Sequence, residues 1–147
     1  MNVGSDPTVM AETSDGNFLW IGLSGAGSVA QFDLINQQLT ATISLASMKN
    51  YYQVGTAVAT GLAAMPGSDT TLAVNDGGVV GIFDTSGNNG TFRPNFAGDD
   101  FATFPDASHL YTYDNLSTGA EFYRYSINAS GATLIDGTTL DLSLIHI

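Results

Sequence analysis

The feature that most constrains this chain is a pattern that occurs three times. The segments "MAETSDGNFLWIGLSGAGSVAQFDLI", "LAAMPGSDTTLAVNDGGVVGIFDTS" and "FATFPDASHLYTYDNLSTGAEFYRYSI" align by eye. Each holds an apolar strand followed by a turn: Ser14-Asp15-Gly16, Pro66-Gly67-Ser68 or Pro105-Asp106-Ala107. A second strand comes next (Phe18–Leu23, Thr71–Asn75, Leu110–Asp114), then a Gly-bearing turn, then a third strand (Val29–Leu34, Val79–Asp84, Glu121–Ile127). A fourth, more polar strand fits after each unit, over Gln38–Leu45, Phe92–Phe96 and Ala132–Leu140. The apolar period is 2 almost everywhere, so no amphipathic helix is expected. With 17 glycines and few good helix formers, the class is all-β.

Phe32-Asp33 and Phe83-Asp84 stand 51 residues apart, and Tyr125 follows Phe83 by 42. Four antiparallel strands in about 40 to 50 residues is the blade period of a β-propeller. Blades pack face to face, so middle strands should be apolar on both faces while the outer strand alternates. "FLWIGL" and "GVVGIF" suit the middle, and "QLTATISL" suits the edge with Leu39, Ala41, Ile43 and Leu45 on one face. The expectation is a partial β-propeller of about three four-stranded antiparallel blades, over residues 5–45, 57–97 and 99–141. The longer first spacing is absorbed by the irregular stretch 46–58, which contains Tyr51-Tyr52.

At these residues the chain resembles the YVTN-type β-propeller repeats of bacterial and archaeal proteins. The matching elements are Val3-Gly4, Pro7, Ser14-Asp15-Gly16, Leu19-Trp20-Ile21-Gly22, and Val29 through Phe32-Asp33, with Ile43 beyond. The second unit keeps Gly78-Val79-Val80-Gly81-Ile82-Phe83-Asp84; the third departs further, with Ser126 at the position of Asp33 and Asp84. The resemblance implies architecture, because such repeats serve many roles. Three blades are fewer than the 4–8 of a typical propeller, so the chain is read as part of a longer one. Met1 is then an internal methionine. "LSLIHI" resembles the translation of a sequencing adapter, which makes 142–147 a non-native tail.

Charge excludes some partners. Lys49, Arg93 and Arg124 face 14 acidic residues for a net charge of −11, which argues against nucleic acid and against an anionic membrane surface. No apolar run reaches the ~20 residues of a membrane span, so no membrane insertion is expected. The absence of cysteine removes disulfides and thiolate chemistry.

Four features could carry chemistry. Gly25-Ala26-Gly27-Ser28-Val29-Ala30 has the spelling of a dinucleotide-binding turn, yet that turn must open a helix, and "SVAQFDL" reads as strand. It is read as a hairpin turn, with no cofactor. His109 beside Ser108 is the one candidate base outside the tail, and it is read as a half-exposed strand residue. Asp99-Asp100, Asp76-Gly77-Gly78 and Asp114-Asn115 offer hard oxygens for calcium, but without EF-hand spacing they are read as turn residues, with no metal. Tyr111 and Tyr113 share one strand face, as do Tyr123 and Tyr125; packing between blades accounts for both pairs. The sequons at Asn89, Asn115 and Asn128 carry little weight in an Asn- and Ser-rich chain.

No catalytic, cofactor-binding or metal residue is therefore assigned. The expected role is a non-catalytic scaffold or binding segment of an exported or surface bacterial protein, extracellular, with a protein or carbohydrate ligand at its turns and the remaining blades of a longer chain as partners. The rival is a fragment of a propeller enzyme, a lactonase-like hydrolase or a metal-dependent sugar dehydrogenase. Asp33 and Asp84 are expected at equivalent strand ends, orienting turns by hydrogen bonds.

Overall fold

The computed structural model describes residues 4–48, 56–85, 87–92, 99–116, 119–128 and 131–140. They form three antiparallel four-stranded meanders. Sheet 1 runs through β1 (Pro7–Glu12), β2 (Phe18–Leu23), β3 (Ser28–Asp33) and β4 (Gln38–Ser44). Sheet 2 runs through β5 (Gly61–Ala64), β6 (Leu72–Asn75), β7 (Val80–Asp84) and β8 (Gly87–Phe92). Sheet 3 runs through β9 (Asp99–Asp106), β10 (His109–Leu116), β11 (Gly119–Asn128) and β12 (Gly131–Leu140). The described residues hold no α-helix, only short 3₁₀ turns at Ser24–Ala26 and Ala46–Met48.

Local chemistry sets the turns. Thr13 N–H donates to the Phe18 carbonyl (3.0 Å), Thr13 Oγ1 accepts from Phe18 N–H (3.1 Å), and Asp15 Oδ1 accepts from Asn17 N–H (3.0 Å). Gly16 closes this loop at φ 75, where a Cβ would be strained. The same register recurs in sheet 2, where Met65 N–H donates to the Thr71 carbonyl (3.0 Å), and Gly67 takes φ 74.

Pairing registers make the repeat quantitative. Phe18 faces Asp33, Leu72 faces Phe83 and His109 faces Ser126, so Trp20, Ala73 and Tyr111 are equivalent, as are Gln31, Ile82 and Arg124. Each sheet carries a one-residue bulge at the same step between its third and fourth strands: Gln31/Phe32, Ile82/Phe83 and Arg124/Tyr125. The extra residues are Thr40, Asn89 and Ile135. A bulge re-aims the residues beyond it. In sheet 1 it turns Leu39 to the face of Phe32, away from Ala41 and Ile43, so Leu39 is 41% exposed where straight alternation placed it with them.

The second sheet differs from expectation at its edge. Asp84 pairs with Gly87 across a tight turn, so β8 covers Gly87–Phe92; of the expected Phe92–Phe96, residues 93–96 lie outside the described residues. Asn88, Asn89 and Gly90 give this strand no apolar period to read.

The sheets stack through apolar faces. Trp20, Val29, Ile43, Leu45 and Met48 of the first interlock with Leu72, Val74 and Phe83 of the second. Ala73 and Val80 on the other side of sheet 2 meet Phe104, Leu110, Tyr123 and Tyr125 of sheet 3. Each large side chain buried this way is worth about 1.5–3 kcal/mol. First strands lie beside first strands (β1, β5, β9), and fourth beside fourth (β4, β8, β12), with the closer approach at the first strands. The sheets fan outward.

Candidate functional site

The glycine-rich run answers its own question. Ser24–Ala26 forms a single 3₁₀ turn, Gly27 follows in the left-handed region at φ 56, and β3 begins at Ser28. Ser24 N–H donates to the Asp6 carbonyl (3.0 Å) and Gly27 N–H to the Ser24 carbonyl (3.2 Å), so these amides bind their own chain and open no helix. A Cβ on Gly25 would meet Asp6 Oδ2 at 2.7 Å, and one on Gly27 would strike Thr56 Cγ2. Both glycines leave room for neighbouring side chains, Ser5 and Asp6 at Gly25 and Thr56 at Gly27.

The carboxylates hold turns. Asp33 Oδ1 accepts from Ile35 N–H (2.9 Å) and Asn36 N–H (2.8 Å), and its Oδ2 from Asn36 Nδ2 (2.8 Å). The Asn36 bonds, backbone then side chain, hold its pKa below the ordinary carboxylate value. Asp15 is lowered in the same way, by Thr13 first. Asp76 Oδ1 accepts from Val79 N–H (3.0 Å) and Asn75 Oδ1 from Gly77 N–H (2.7 Å), which makes Asp76-Gly77-Gly78 a folded turn. Among the described residues no three His, Cys, Asp or Glu side chains converge to hold a metal ion. The side chains of Asp99-Asp100 and Asp114-Asn115, and all of Tyr51-Tyr52, lie outside the described residues.

His109 has a partner. Its Nδ1 lies 2.9 Å from Asp106 Oδ2, and Asp106 Oδ1 accepts from Ser108 N–H (2.7 Å). His109 followed by Ser108 lowers the Asp106 pKa. The imidazole stands 38% exposed on the β9–β10 turn, where the pair works as a turn clamp.

The aromatic pairs divide. Tyr123 and Tyr125 are buried between sheets 2 and 3, as packing requires. Tyr111 (39% exposed), half-buried Tyr113 and Phe122 (39%) lie on the opposite face of sheet 3, which none of the described sheets covers. Tyr113 and Phe122 stack at 4.8 Å. Beside them Arg124 forks onto Asp136 (Nη2–Oδ2 2.6 Å).

Sequence reasoning also missed a cleft of about 420 Å³ between sheets 2 and 3. Its walls include Met65, Ile82 and Ile127, with Thr71, Asp84 and Asn128 as polar members. Asp84 and Asp33 do end equivalent strands, but Asp84 opens onto this cleft. His109 is not among the residues that line it. The missed signal was the equivalent position occupied by Gln31 and Ile82.

No protein-family model and no curated protein matches the chain. Solved structures do. A hydrazine synthase from Kuenenia stuttgartiensis aligns with TM-score 0.70 at 17% identity, over 92% of this chain and 38% of that one. The WD40 repeats of RRP9 align at 0.66 and 13% identity, over 93% and 39%. The Cps50 (Swd1) β-propeller domain of Myceliophteria thermophila aligns at 0.61 and 15% identity, over 86% and 40%. The three sheets are β-propeller blades. At these identities the likeness carries fold alone, and the chain spans about two-fifths of the length of each of these structures.

Proposed function

We propose that the chain is a non-catalytic segment of a β-propeller scaffold, of the YVTN-type repeat class, in an exported or surface bacterial protein. The carrying observation is the face of blade 3. Tyr111, Phe122 and Arg124 occupy the positions at which Trp20, Val29 and Gln31 of blade 1, and Ala73, Val80 and Ile82 of blade 2, meet the next blade. An apolar stacking face repeated a third time suits a further blade. On blade 1, Leu19 and Phe32 are half-buried where the equivalent Leu72, Phe83, Leu110 and Tyr125 are buried. The scaffold reading is further supported by Asp15, Asp33 and Asp106, each of which holds a turn. The repeat resemblance is what supports the class, the bacterial origin and the export, and a protein or carbohydrate partner would meet the exposed turns.

Sedimentation velocity of the chain against Tyr111→Ser/Phe122→Ser tests the stacking face. The parent should self-associate with concentration and the variant should shift toward monomer; a monomeric parent would refute the reading. Lactone and aldose turnover, with and without calcium, covers the enzyme rival. Turnover that His109→Ala abolishes would replace the scaffold with an enzyme.

A further inference from the structure

Between blades 1 and 2 one polar side chain crosses the junction. Gln31 is buried there, its Nε2 donates to the carbonyl of Asp69 in the β5–β6 turn, and its Oε1 accepts from Thr40 Oγ1 (2.8 Å). The third strand of one blade thus reaches the first turn of the next. Arg124 holds the same register position on blade 3, where the described residues provide no following blade. It is 41% exposed and gives its Nε (3.2 Å) and Nη2 (2.6 Å) to Asp136. A guanidinium carries five N–H donors and matches carboxylates better than carbonyls. The same crossing from blade 3 therefore favours a first turn that presents a carboxylate.

Blade 1 presents one. Asp15 stands exposed in its β1–β2 turn, and accepts from Thr13 Oγ1 (2.6 Å), Asn17 N–H (3.0 Å) and Asn17 Nδ2. All three donors are uncharged, so among the described residues no cation neutralises this carboxylate. The apolar surface beside it matches as well. Leu19 and Phe32 hold the positions at which Leu72 and Phe83, and again Leu110 and Tyr125, receive the preceding blade. On blade 1 both are half-buried, and Met10 (67% exposed) and Leu39 (41%) lie on the same side of the sheet. Opposite stand Tyr111 and Phe122 of blade 3, at the positions where Trp20 and Val29 meet blade 2. The two uncovered faces are the two halves of one junction.

We propose that the outer face of blade 3 docks on blade 1 of a second copy of this chain, with Arg124 bridging its own Asp136 and the Asp15 of that copy. The inference rests on the reading that blade 3 takes a further blade, and it names that blade. The contact is heterologous: each copy offers one face and receives on the other. A net charge of −11 on each copy opposes it. At physiological salt the screening length of about 8 Å confines that repulsion to near neighbours, and the Arg124–Asp15 pair is attractive.

The test is charge reversal followed by mixing, read by sedimentation velocity of the full chain at neutral pH and about 0.15 M salt. Arg124→Glu and Asp15→Lys should each stay monomeric at concentrations where the parent associates. Their equimolar mixture should associate, because the reversed charges meet at one contact and the parental pair forms at the other. Arg124→Ala should weaken association about 10-fold, the usual weight of a charge-assisted hydrogen bond. Arg124→Gln, which repeats the Gln31 bridge, should recover most of that loss. These two variants keep the test decisive if either reversal disturbs its blade. A mixture of folded variants that remains monomeric, or Arg124→Ala associating as tightly as the parent, overturns the proposal. Association that Tyr111→Ser/Phe122→Ser abolishes but both charge reversals retain overturns it too, and leaves the stacking face standing. A monomeric parent overturns both.

Discussion

Thr112 offers a sharp test of the packing between blades 2 and 3. It is 1% exposed, and its Oγ1 makes no hydrogen bond among the described residues. Its strand partners are Tyr123 and Ala102, on the face where Leu110 meets blade 2. At the equivalent positions blades 1 and 2 carry Ile21 and Val74, both apolar. Desolvating a hydroxyl with no compensating bond costs about 1–3 kcal/mol by mutational measures. Valine keeps the β-branched shape and removes the cost. Thr112→Val should therefore stabilise the chain by about 1 kcal/mol, after allowance for local repacking, and raise Tm by roughly 2–4 °C. Thermal and urea unfolding, followed by circular dichroism, measures both. Thr13→Val is the control: Thr13 is equally buried (3%), but its Oγ1 donates to Asp15 Oδ1 (2.6 Å) and accepts from Phe18 N–H, so this change should destabilise. If Thr112→Val lowers the urea midpoint or leaves it unmoved, the hydroxyl has a partner and the reasoning fails.

Gly27→Ala should cost roughly 2–4 kcal/mol, because it combines a left-handed φ with a Cβ driven into Thr56; Gly67→Ala, at φ 74 with nothing within 4 Å, should cost only about 1 kcal/mol. Equal urea midpoints for the two would refute the close-approach role of Gly27. Asp33 has a folded pKa below its unfolded value of about 3.9. Its contribution is thus fully present above that value and lost as pH falls through the folded pKa. The stability gap between parent and Asp33→Asn should be widest above about pH 5 and should narrow toward pH 2; a gap that is flat with pH would contradict the capping geometry.

Much of the fold was legible because its signal is local. Phe18–Leu23 was read as a strand and is β2 at the same bounds, since apolar residues on both faces leave a sandwiched strand as the economical reading. The turn at Ser14-Asp15-Gly16 and the Asp33 cap were legible for the same reason: Asp and Gly act within three residues of themselves. The errors fall where one residue changes the register. Alternation assumes no bulge and so groups Leu39 with Ala41 and Ile43, and Asn88-Asn89-Gly90 offers no alternation to mark the start of β8. Tyr111 and Tyr113 could be put on one face from sequence, but which neighbour covers that face depends on the stacking order. The cleft was invisible because it joins residues about 60 apart, Met65 and Ile127, across two blades.

The repeat separates what holds the blades together from what makes them differ. Leu19, Leu72 and Leu110 share one position, and Phe32, Phe83 and Tyr125 another; both stay apolar, and in blades 2 and 3 they point toward the preceding blade. The positions toward the following blade vary in kind: Trp20, Ala73 and Tyr111 at one, Gln31, Ile82 and Arg124 at the other. A blade stacks if one side of each junction is uniformly apolar, which leaves the other side free to change size and charge. Glutamine there bridges to the next blade's backbone. Isoleucine leaves a cleft. Arginine, turned to Asp136 across its own sheet, leaves the third face apolar around a neutralised charge. The junctions thus differ at the positions where the repeat departs from itself.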